Sequence, residues 1–407
     1  MSLLPVAEAV ARVVAGVTPL PAETVPLSEA AGRVLAEDLP ARRTHPPFAA
    51  SAMDGYALRA ADAAAGAVLR VVGMAAAGRS FAGSVSTGEA ARIFTGAPIP
   101  DGADSVLIQE DAEVLPDGRI RVREAPRPGR HIRRAGLDFT EGAVLLSAGA
   151  RLGFREVSLA AAMGHGAVPV RRRPRVALLA TGDELVPPGA SPGPDQIVSS
   201  NAVGLAALVA SLGGAPHDFG IVSDDAAAIA AAVRRALTLP ADVVVTIGGA
   251  SVGEHDLAQK ALESAGMRLD FWKVAIRPGK PLMFGVFAAT PDRPAVRVLG
   301  LPGNPVSALV GGLVFLAPLL SALLGAPYPD MTEPARLGVD VPANDSREDY
   351  LRSKLVPADD GLPRVSPLTP QDSSMLSTLV VADCLLIRPP HAPPGHAGEL
   401  CRILRLP

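Results

Sequence analysis

The sequence predicts an α/β protein of several domains, with a doubly wound sheet at its centre and β-rich segments on both sides. The chain has 407 residues, more than a single typical domain core requires. From about Arg175 to Leu324, strand-like and helix-like segments alternate, as they do in doubly wound sheets. Short β-rich pieces separated by turns occupy residues from about 48 to 130 and from about 335 to 407. These flanks predict separate β domains.

The central elements can be placed in order. Apolar, β-branched residues predict a strand at 176–180, which stops at the polar segment Thr181-Gly182-Asp183-Glu184. Asn201 is expected to cap a helix that ends near Leu212. A second helix follows Ser223, Asp224 and Asp225. The remaining elements are expected as a strand at 243–247, a helix at 257–265, a strand within 269–276, a strand at 297–299, and a helix opening at Leu301-Pro302-Gly303-Asn304-Pro305.

The flanking segments differ from this alternating core. Residues 69–72, 91–94 and 120–122 read as short strands of a small all-β domain. Residues 153–163 look helical, and together with the N-terminal helices they are expected to form a framework assembled from two sequence segments. The sequence thus predicts an inserted β domain, a mixed framework, a central α/β domain and a β-rich C-terminal domain.

Composition excludes several classes of partner. Charged residues make up 19% of the chain and its net charge is -3, so nucleic acid and anionic membranes are not expected to bind. Cys384 and Cys401 are the only cysteines, which argues against a disulfide framework or structural zinc site and favours the cytoplasm. The uncharged stretch 306–324 has membrane-spanning length, but its glycines and proline favour a buried helix.

The segment ADVVVTIGGASVGEHD, residues 241–256, has the pattern of an anion site. A buried strand runs into Gly248, Gly249, Ser251 and Gly253, where the lack of Cβ atoms at the glycines leaves backbone N–H groups uncovered for phosphate-like oxygens. The nearby acids Glu254 and Asp256 would repel an anion unless a cation lies between them, which suggests Mg²⁺. The pattern by itself leaves the identity of the bound anion open.

Other polar turns carry weaker signals. Since ligands bind beyond the carboxyl ends of strands in open α/β sheets, the segments TGDE, GGASVGEHD and LPGNP should converge. Pro302, Gly303, Asn304 and Pro305 open a helix whose free amides could receive an anion, which is favoured over the alternative of a merely structural turn. Asp54 in SAMDGY and the proline-locked segment FTGAPIP are compatible with either turns or ligand sites. The chain lacks a nucleophile elbow, a Walker loop and a dinucleotide fingerprint.

Taken together, seven motifs resemble the MoeA family, the molybdopterin molybdenumtransferases, which include the E domain of gephyrin. In chain order they are SAMDGYA, TGAPIP, IRRAGLD, TGDEL, GGASVGEHD, FWKVAIRPGKP and LPGNPVSA. The resemblance covers essentially the whole chain. It implies a framework domain at 1–47 and 138–170, an inserted β domain at 48–137, an α/β molybdopterin-binding domain at 171–325, and a C-terminal β-barrel at 326–407.

The resemblance also implies a reaction and its partners. Adenylylated molybdopterin would be hydrolysed with Mg²⁺ as cofactor, molybdate would be inserted at the dithiolene, and AMP would be released. The chain would act as a homodimer and would make transient contact with the adenylyltransferase and with acceptor molybdoenzymes. By matching positions, the resemblance gives functional weight to Asp54, Thr95, Asp138, Glu184, Asp224, Asp256, Lys273, Pro302, Pro305, Arg352 and Ser373.

Chemistry suggests roles for some of these side chains. Glu184 and Asp256 are expected to bind Mg²⁺ or to organise the attacking water. Lys273, Arg277 and Lys280 are expected to hold a phosphate or molybdate. Asp54, Thr95 and Asp138 come from other domains and would reach the site across the dimer. Two departures from the family pattern stand out, namely Arg277 where some relatives have lysine, and the turn 371–374, which makes the role of Ser373 uncertain.

Two other functions remain open. The adenylyltransferase that prepares the substrate has a similar α/β domain, although the flanking domains here favour the insertion step. A non-catalytic scaffold, which the gephyrin resemblance invites, would need a second catalytic domain or a long linker that this sequence lacks.

Overall fold

The computed structural model describes residues 3–248, 257–291, 293–328, 331–359 and 361–406. Its helices are α1 (Val6–Val14), α2 (Phe154–Ala162), α3 (Asn201–Ser211), α4 (Ala226–Thr238), α5 (Leu257–Ser264), α6 (Pro305–Gly311), α7 (Ala317–Leu323) and α8 (Leu376–Val381). A π-helical turn, Gly312–Leu316, joins α6 to α7.

The strands of the N-terminal half are β1 (Ala22–Pro26), β2 (Leu39–Pro40), β3 (Ala50–Ser51), β4 (Gly55–Leu58), β5 (Val68–Ala75), β6 (Glu89–Ile93), β7 (Ser105–Ile108), β8 (Ala112–Val114), β9 (Ile120–Val122), β10 (Ile132–Arg133), β11 (Val144–Leu146) and β12 (Ala167–Arg171). The later strands are β13 (Arg175–Thr181), β14 (Leu185–Val186), β15 (Ile197–Val198), β16 (Ala215–Val222), β17 (Val243–Ile247), β18 (Met267–Trp272), β19 (Ile276–Arg277), β20 (Met283–Phe287), β21 (Val296–Leu301), β22 (Thr332–Leu337), β23 (Glu348–Val356), β24 (Arg364–Pro367), β25 (Cys384–Arg388) and β26 (Leu400–Arg405).

The chain forms two compact units. The larger unit comprises Met1–Glu23, Gly32–Ala36 and Val170–Pro407, and the smaller unit comprises Thr24–Ala31 and Glu37–Pro169. The smaller unit contains the sheet β7-β4-β6-β5-β9-β8, as expected for an inserted β domain. The division of the chain into four domains at the boundaries given above stays a prediction.

The larger unit is built on the sheet β16-β13-β17-β21-β20-β18. Strands β16, β13, β17 and β21 are parallel, whereas β20 and β18 continue the sheet in antiparallel order. Alternate residues of β13 contribute to two different cores, since Val176 and Leu178 pack on the side of α3 and the helix from Pro305 to Leu323, while Ala177 and Leu179 pack on the side of α4 and α5. The expected doubly wound core is therefore confirmed.

Two strands of this sheet escaped the sequence analysis. Strand β16 contains Pro216, Asp218 and Gly220 and is half-exposed at the sheet edge, so it lacks the apolar run of a buried strand. Strand β20 contains Gly285, where a Cβ would lie 2.6 Å from Met267 Sδ. Close packing against β18 thus requires a residue with low strand propensity.

The C-terminal sheet closes on itself. Its strand order is β19-β23-β24-β22-β26-β25, and a further pairing joins β25 to β23. The buried core includes Ala335, Leu337, Val365, Leu386 and Ile403. The predicted C-terminal β-barrel is confirmed, and β19 extends it with a segment taken from FWKVAIRPGKP.

The stretch of membrane-spanning length is a core helix of the larger unit. In the described part of the chain, Pro305–Leu323 is the one helix long and apolar enough to cross a membrane, and 78% of its most apolar window is buried. Phe315, Leu319 and Leu320 are fully buried in the same core as β13 and β17. The expectation of a buried helix is confirmed.

Candidate functional site

The carboxyl ends of three parallel strands meet in the larger unit. Strand β13 ends at Thr181, Gly248 follows β17, and Gly303 follows β21. The Gly248 N–H donates to the carbonyl of Leu301 over 3.0 Å, and a Cβ on Gly303 would lie 3.6 Å from the Gly248 Cα. Among the described residues, TGDE, the start of the glycine segment and LPGNP therefore converge as predicted.

Gly248 occupies a position that only glycine fits. Its φ is +93°, and an added Cβ would lie 2.6 Å from the carbonyl oxygen of Thr181. The positive φ strains other residues, and the contact with rigid backbone leaves no room for adjustment. Gly249, Ser251, Gly253 and Asp256, the other predicted site residues of this segment, lie outside the described residues.

Three acids follow this edge of the sheet. The Asp224 N–H donates to Asp183 Oδ1 over 3.2 Å, and the Glu184 carboxylate folds back over Gly182, where a Cβ would lie 2.5 Å from its Oε2. Burial, and then the negative charges of Glu184 and Asp183, raise the pKa of Asp224. Ionisation of Asp224 is therefore disfavoured at this edge, and a bound cation would relieve the repulsion from its neighbours.

The described residues do not by themselves complete a metal centre. No group of three or more His, Cys, Asp or Glu side chains in that part of the chain is arranged to hold a metal ion. Thr181 contributes a buried Oγ1 that has no hydrogen-bond partner among the described residues, at the same strand end as Glu184. The edge therefore offers carboxylate oxygens that could coordinate a hard cation, and an unsatisfied hydroxyl that could bind a phosphate-bearing ligand.

The basic segment FWKVAIRPGKP contributes two lysines, one stacked on an aromatic ring and one exposed. Lys273 directly follows the last residue of β18 and has a φ of +75°. Its Nζ lies 4.0 Å from the centroid of the Trp272 ring. Lys280 is exposed, and the adjacent Gly279 packs near Pro302, where a Cβ would lie 3.8 Å from Pro302 Cγ. This packing brings the segment beside LPGNP.

Arg277 lies in a network of ion pairs and hydrogen bonds. It forms an ion pair with Asp349, donates to Asn344 Oδ1 over 3.0 Å and contacts Asp345 Oδ2 over 3.3 Å. Strands β19 and β23 place Arg277 directly opposite Asp349. Arg277 therefore joins the basic segment to the barrel, and its contact with a phosphate or molybdate stays a prediction.

Arg352 and Ser373 reach the same region from the barrel. Arg352 is 1% exposed, and it donates through Nε to Gln371 Oε1 over 3.1 Å and through a terminal nitrogen to the Asp372 carbonyl over 2.5 Å. Burial lowers the pKa of its guanidinium. The Ser373 Oγ accepts from Asn304 Nδ2 over 2.9 Å, and its carbonyl accepts from the Val306 N–H over 3.0 Å. Ser373 thus contacts the segment LPGNP.

Three predicted motifs also converge within the smaller unit. The Ser51 N–H donates to the Ala97 carbonyl, the Gly96 N–H donates to the Ser51 carbonyl, both over 2.9 Å, and Ser51 pairs with Ile132 across β3 and β10. SAMDGYA, TGAPIP and IRRAGLD therefore form one loop cluster. Asp138, at the end of the third motif, is exposed, and its N–H donates to the His45 carbonyl over 3.1 Å.

Asp54 and Thr95 form a hydrogen-bonded pair in this cluster. Both the Thr95 N–H and its hydroxyl donate to Asp54 Oδ1 over 2.8 Å. These bonds, the backbone one first, lower the pKa of Asp54, with a smaller effect from the positive charge of Arg92. The hydroxyl hydrogen of Thr95 is engaged with Asp54, and the role of this pair in ligand binding stays a prediction.

Several contacting residues were missed from the sequence. Asn344 and Asp349 carry no motif signal, and both contact Arg277 from a distant part of the chain. Gln371 lies in the turn 371–374, but its contact with Arg352 was not expected. Asn201 was expected to cap α3, but Ser200 precedes that helix and the Asn201 side chain donates to the Gly303 carbonyl over 2.7 Å. The polar side chain therefore supports LPGNP.

Comparison with known proteins agrees with this architecture. Three family models match: the MoeA N-terminal region (domain I and II) at residues 4–164, a probable molybdopterin binding domain at 177–322, and the MoeA C-terminal region (domain IV) at 334–406. The chain is 36% identical to a molybdopterin molybdenumtransferase of Haemophilus influenzae, over 95% of this chain and 94% of the relative.

Two further relatives support the same assignment. A molybdopterin molybdenumtransferase of Nostoc sp. is 40% identical over 74% of this chain and 70% of its own length. The crystal structure of a molybdopterin biosynthesis MoeA protein from Pyrococcus horikosii is 32% identical, with a TM-score of 0.82 over 99% of both chains. With matches of this extent on sequence and structure, the chain belongs to the MoeA family of molybdopterin molybdenumtransferases.

Proposed function

We propose that this enzyme hydrolyses adenylylated molybdopterin in a Mg²⁺-dependent reaction, inserts molybdate at the dithiolene and releases AMP. The observation that carries the proposal is the meeting of Thr181, Gly248 and Gly303 at the carboxyl ends of parallel strands, with Glu184 and Asp224 beside them. Ligands of open α/β sheets bind at this kind of edge. The names of the relatives supply the chemical class of the substrate.

The carboxylates at this edge have a defined role in the proposal. Glu184, together with Asp256 outside the described residues, would hold Mg²⁺. When bound, the ion would neutralise phosphate charge and lower the pKa of a coordinated water. Asp224, whose pKa is raised by burial and by its acidic neighbours, would hold a proton more readily than an ordinary carboxyl and could donate a hydrogen bond.

The backbone and the cations would bind the anionic parts of the substrate. Gly248 lies at the strand end, and Gly249, Ser251 and Gly253 continue that segment with residues whose small size leaves backbone N–H groups accessible. Lys273 and Lys280 flank the segment that packs on Pro302 and supply point charges. Asn304 and Pro305 open the helix, and Asn304 is held by Ser373.

The loop cluster of the smaller unit is the second part of the proposal. Asp54 is held ionised by Thr95, and Asp138 lies exposed on a neighbouring loop. We propose that these carboxylates complete the site across a homodimer. We further propose that the enzyme acts in the cytoplasm and meets the adenylyltransferase and acceptor molybdoenzymes transiently.

An assay with adenylylated molybdopterin, molybdate and Mg²⁺, but without ATP, tests the reaction. The proposal predicts stoichiometric AMP and a product that activates a molybdenum-free acceptor enzyme. Activity only after ATP and unmodified molybdopterin are supplied would instead identify the adenylyltransferase. A protein that binds partners but gives neither reaction would point to the scaffold function.

Variants of the acids test the assigned site in the same assay. Asp256→Asn and Glu184→Gln should each abolish cofactor formation while the thermal unfolding curve stays that of the wild type. Glu263→Gln, which removes a charge from an exposed residue of α5, is the matched control and should stay fully active. Near-normal activity of Asp256→Asn would overturn the assignment of that residue.

A further inference from the structure

The guanidinium of Arg352 is buried, and the negative charge of Asp372 acts on it without forming an ion pair. Its side chain is among the largest fully buried ones in the protein, and its hydrogen bonds go to the neutral amide oxygen of Gln371 and the carbonyl of Asp372. In the described part of the chain it forms no ion pair, because the Asp372 carboxylate instead accepts from the N–H and hydroxyl of Ser374. A buried positive charge with only neutral acceptors attracts an anion.

Gln371 uses its whole amide to hold this arrangement. Its Oε1 accepts from both the backbone N–H and Nε of Arg352, each over 3.1 Å. Its Nε2 donates to the Arg352 carbonyl over 2.8 Å and to the Leu368 carbonyl over 2.6 Å. The glutamine therefore fixes Arg352 on strand β23 while adding no charge that would neutralise it.

The same turn reaches the strand ends of the α/β domain. Ser373 receives hydrogen bonds from Asn304 Nδ2 and from the Val306 N–H, and Asn201 Nδ2 donates to the Gly303 carbonyl. A continuous set of hydrogen bonds thus runs from Arg352 through the 371–373 turn to LPGNP. Displacement of Gln371 would disturb both the direction of the guanidinium and the helix start.

We propose that Gln371 is a positioning residue for substrate binding. It orients Arg352 toward an anionic group of the substrate and keeps the arginine charge available for that group. The inference rests on the proposed function, which supplies a substrate bearing phosphates. Gln371 contacts no reacting atom; it acts through Arg352 and Ser373.

The test compares two variants with a matched control. Gln371→Glu keeps the length and the acceptor for Arg352, but it replaces the amide donor to the Arg352 and Leu368 carbonyls with an oxygen and adds a negative charge beside the guanidinium. Gln371→Met keeps the length and removes all of the hydrogen bonds. Gln196→Glu makes the same charge change at an exposed residue whose Oε1 accepts from the Gly193 N–H, a bond that a carboxylate can also accept.

Both Gln371 variants should raise KM for adenylylated molybdopterin about tenfold, with kcat changed much less, since a hydrogen bond to a charged group contributes on this scale. In the wild type and in Gln196→Glu, KM should rise with ionic strength. That dependence should be weaker in Gln371→Glu, because the charge of Arg352 is compensated inside the protein. A purely structural role would not change the salt dependence.

Substrate binding measured by calorimetry, without molybdate and Mg²⁺, separates failure of the proposed function from failure of the positioning role of Gln371. If the wild type neither binds nor converts the substrate, the proposed function fails. If the wild type does both, and folded Gln371 variants bind with unchanged affinity and salt dependence, the role of Gln371 alone is overturned. Thermal unfolding of each variant shows which ones are folded, and either folded variant is sufficient for the test.

Discussion

Asp54 and Thr95 show how one side chain sets the charge of another. Two donors converge on one carboxylate oxygen, and the pKa of Asp54 falls because these bonds favour its ionised form. The stability that this lowered pKa contributes is present above the pKa of Asp54 in the unfolded chain. It is lost as the pH falls through the lower pKa of the folded state.

Thr95→Val tests this linkage. The variant keeps the amide donor and loses the hydroxyl donor, so the folded-state pKa of Asp54 should rise toward its ordinary value. We expect the variant to be less stable than the wild type at neutral pH and the difference to shrink under acidic conditions, measured by urea unfolding across a pH series. Thr140→Val, a change at an exposed threonine of the same unit, should show no such pH dependence. A constant difference at every pH would exclude action through Asp54.

Arg277 and Asp349 form an asymmetric ion pair. The Asp349 side chain is 4% exposed, and burial raises the pKa of this carboxyl, an effect that Arg277 opposes. The Arg277 side chain is 43% exposed and can be hydrated when its partner is lost. The two residues therefore depend on the pair to different degrees.

We expect Arg277→Met to lower the free energy of unfolding by about 2 kcal/mol, because it leaves a buried carboxylate without its cation. Asp349→Asn should cost less, since the half-exposed guanidinium remains in water. Chemical denaturation of both variants checks the order. Arg405→Met breaks the exposed pair with Glu333 and should cost less than about 1 kcal/mol. A larger loss in Asp349→Asn than in Arg277→Met would contradict this account.

Helix starts are the clearest features at the scale of elements. The sequence assigned the start of the second central helix to Ser223, Asp224 and Asp225 together. In the structure Asp225 alone is the cap, and its Oδ2 accepts from the Ala228 N–H over 2.8 Å. Asp224 is thereby left to interact with Asp183 and Glu184 at the candidate site.

Asp225→Ala should destabilise the protein by about 1 kcal/mol, because an amide at the first turn of α4 loses its acceptor. The loss is measured as a shift in the denaturant midpoint. Ser223→Ala provides the comparison at the neighbouring position and should have little effect. Equal losses in the two variants would show that the cap is shared.

At the scale of the whole molecule, the apolar helix from Pro305 to Leu323 is long enough to span a membrane, but it lies in the core of the larger unit. Leu320 is fully buried among residues of α1, β13 and β21. Leu320→Lys should therefore abolish cooperative unfolding, since an unpaired charge would enter the core. Val380→Lys, at a residue of α8 that is 81% exposed, should change stability by less than about 0.5 kcal/mol. Unchanged stability in Leu320→Lys would rule out the core role of this helix.

Much of the architecture could be predicted from local patterns. The run 243–247 was predicted as a strand buried on both faces and is one, with every residue buried. The strand at 176–180 and the helix at 257–265 were placed within one or two residues. Strands β16 and β20 were missed because a sheet edge and a close strand contact tolerate residues that disfavour isolated strands.

The candidate site was predictable in its location and less so in its contacts. Glycines and acids at strand ends indicated where a ligand binds, because the carboxyl ends of parallel strands share one edge. The partners of Arg277 and Arg352 were not predictable, since Asp349 and Gln371 are brought to them by barrel strands whose pairing no local pattern specifies.

The sequence alone determined the fold class and the order of the motifs, because strand periodicity and glycine-rich turns are local properties. The resemblance of those motifs to the MoeA family indicated the family to which the chain belongs. The tertiary structure decided which charged and polar side chains are paired within the protein and which have only neutral partners. It ties Arg277 to Asp349, it holds Arg352 with neutral acceptors, and it directs the Thr95 hydroxyl to Asp54. Hydrogen bonds and burial depend on which distant residues meet, and these two quantities set the charge and direction of each side chain.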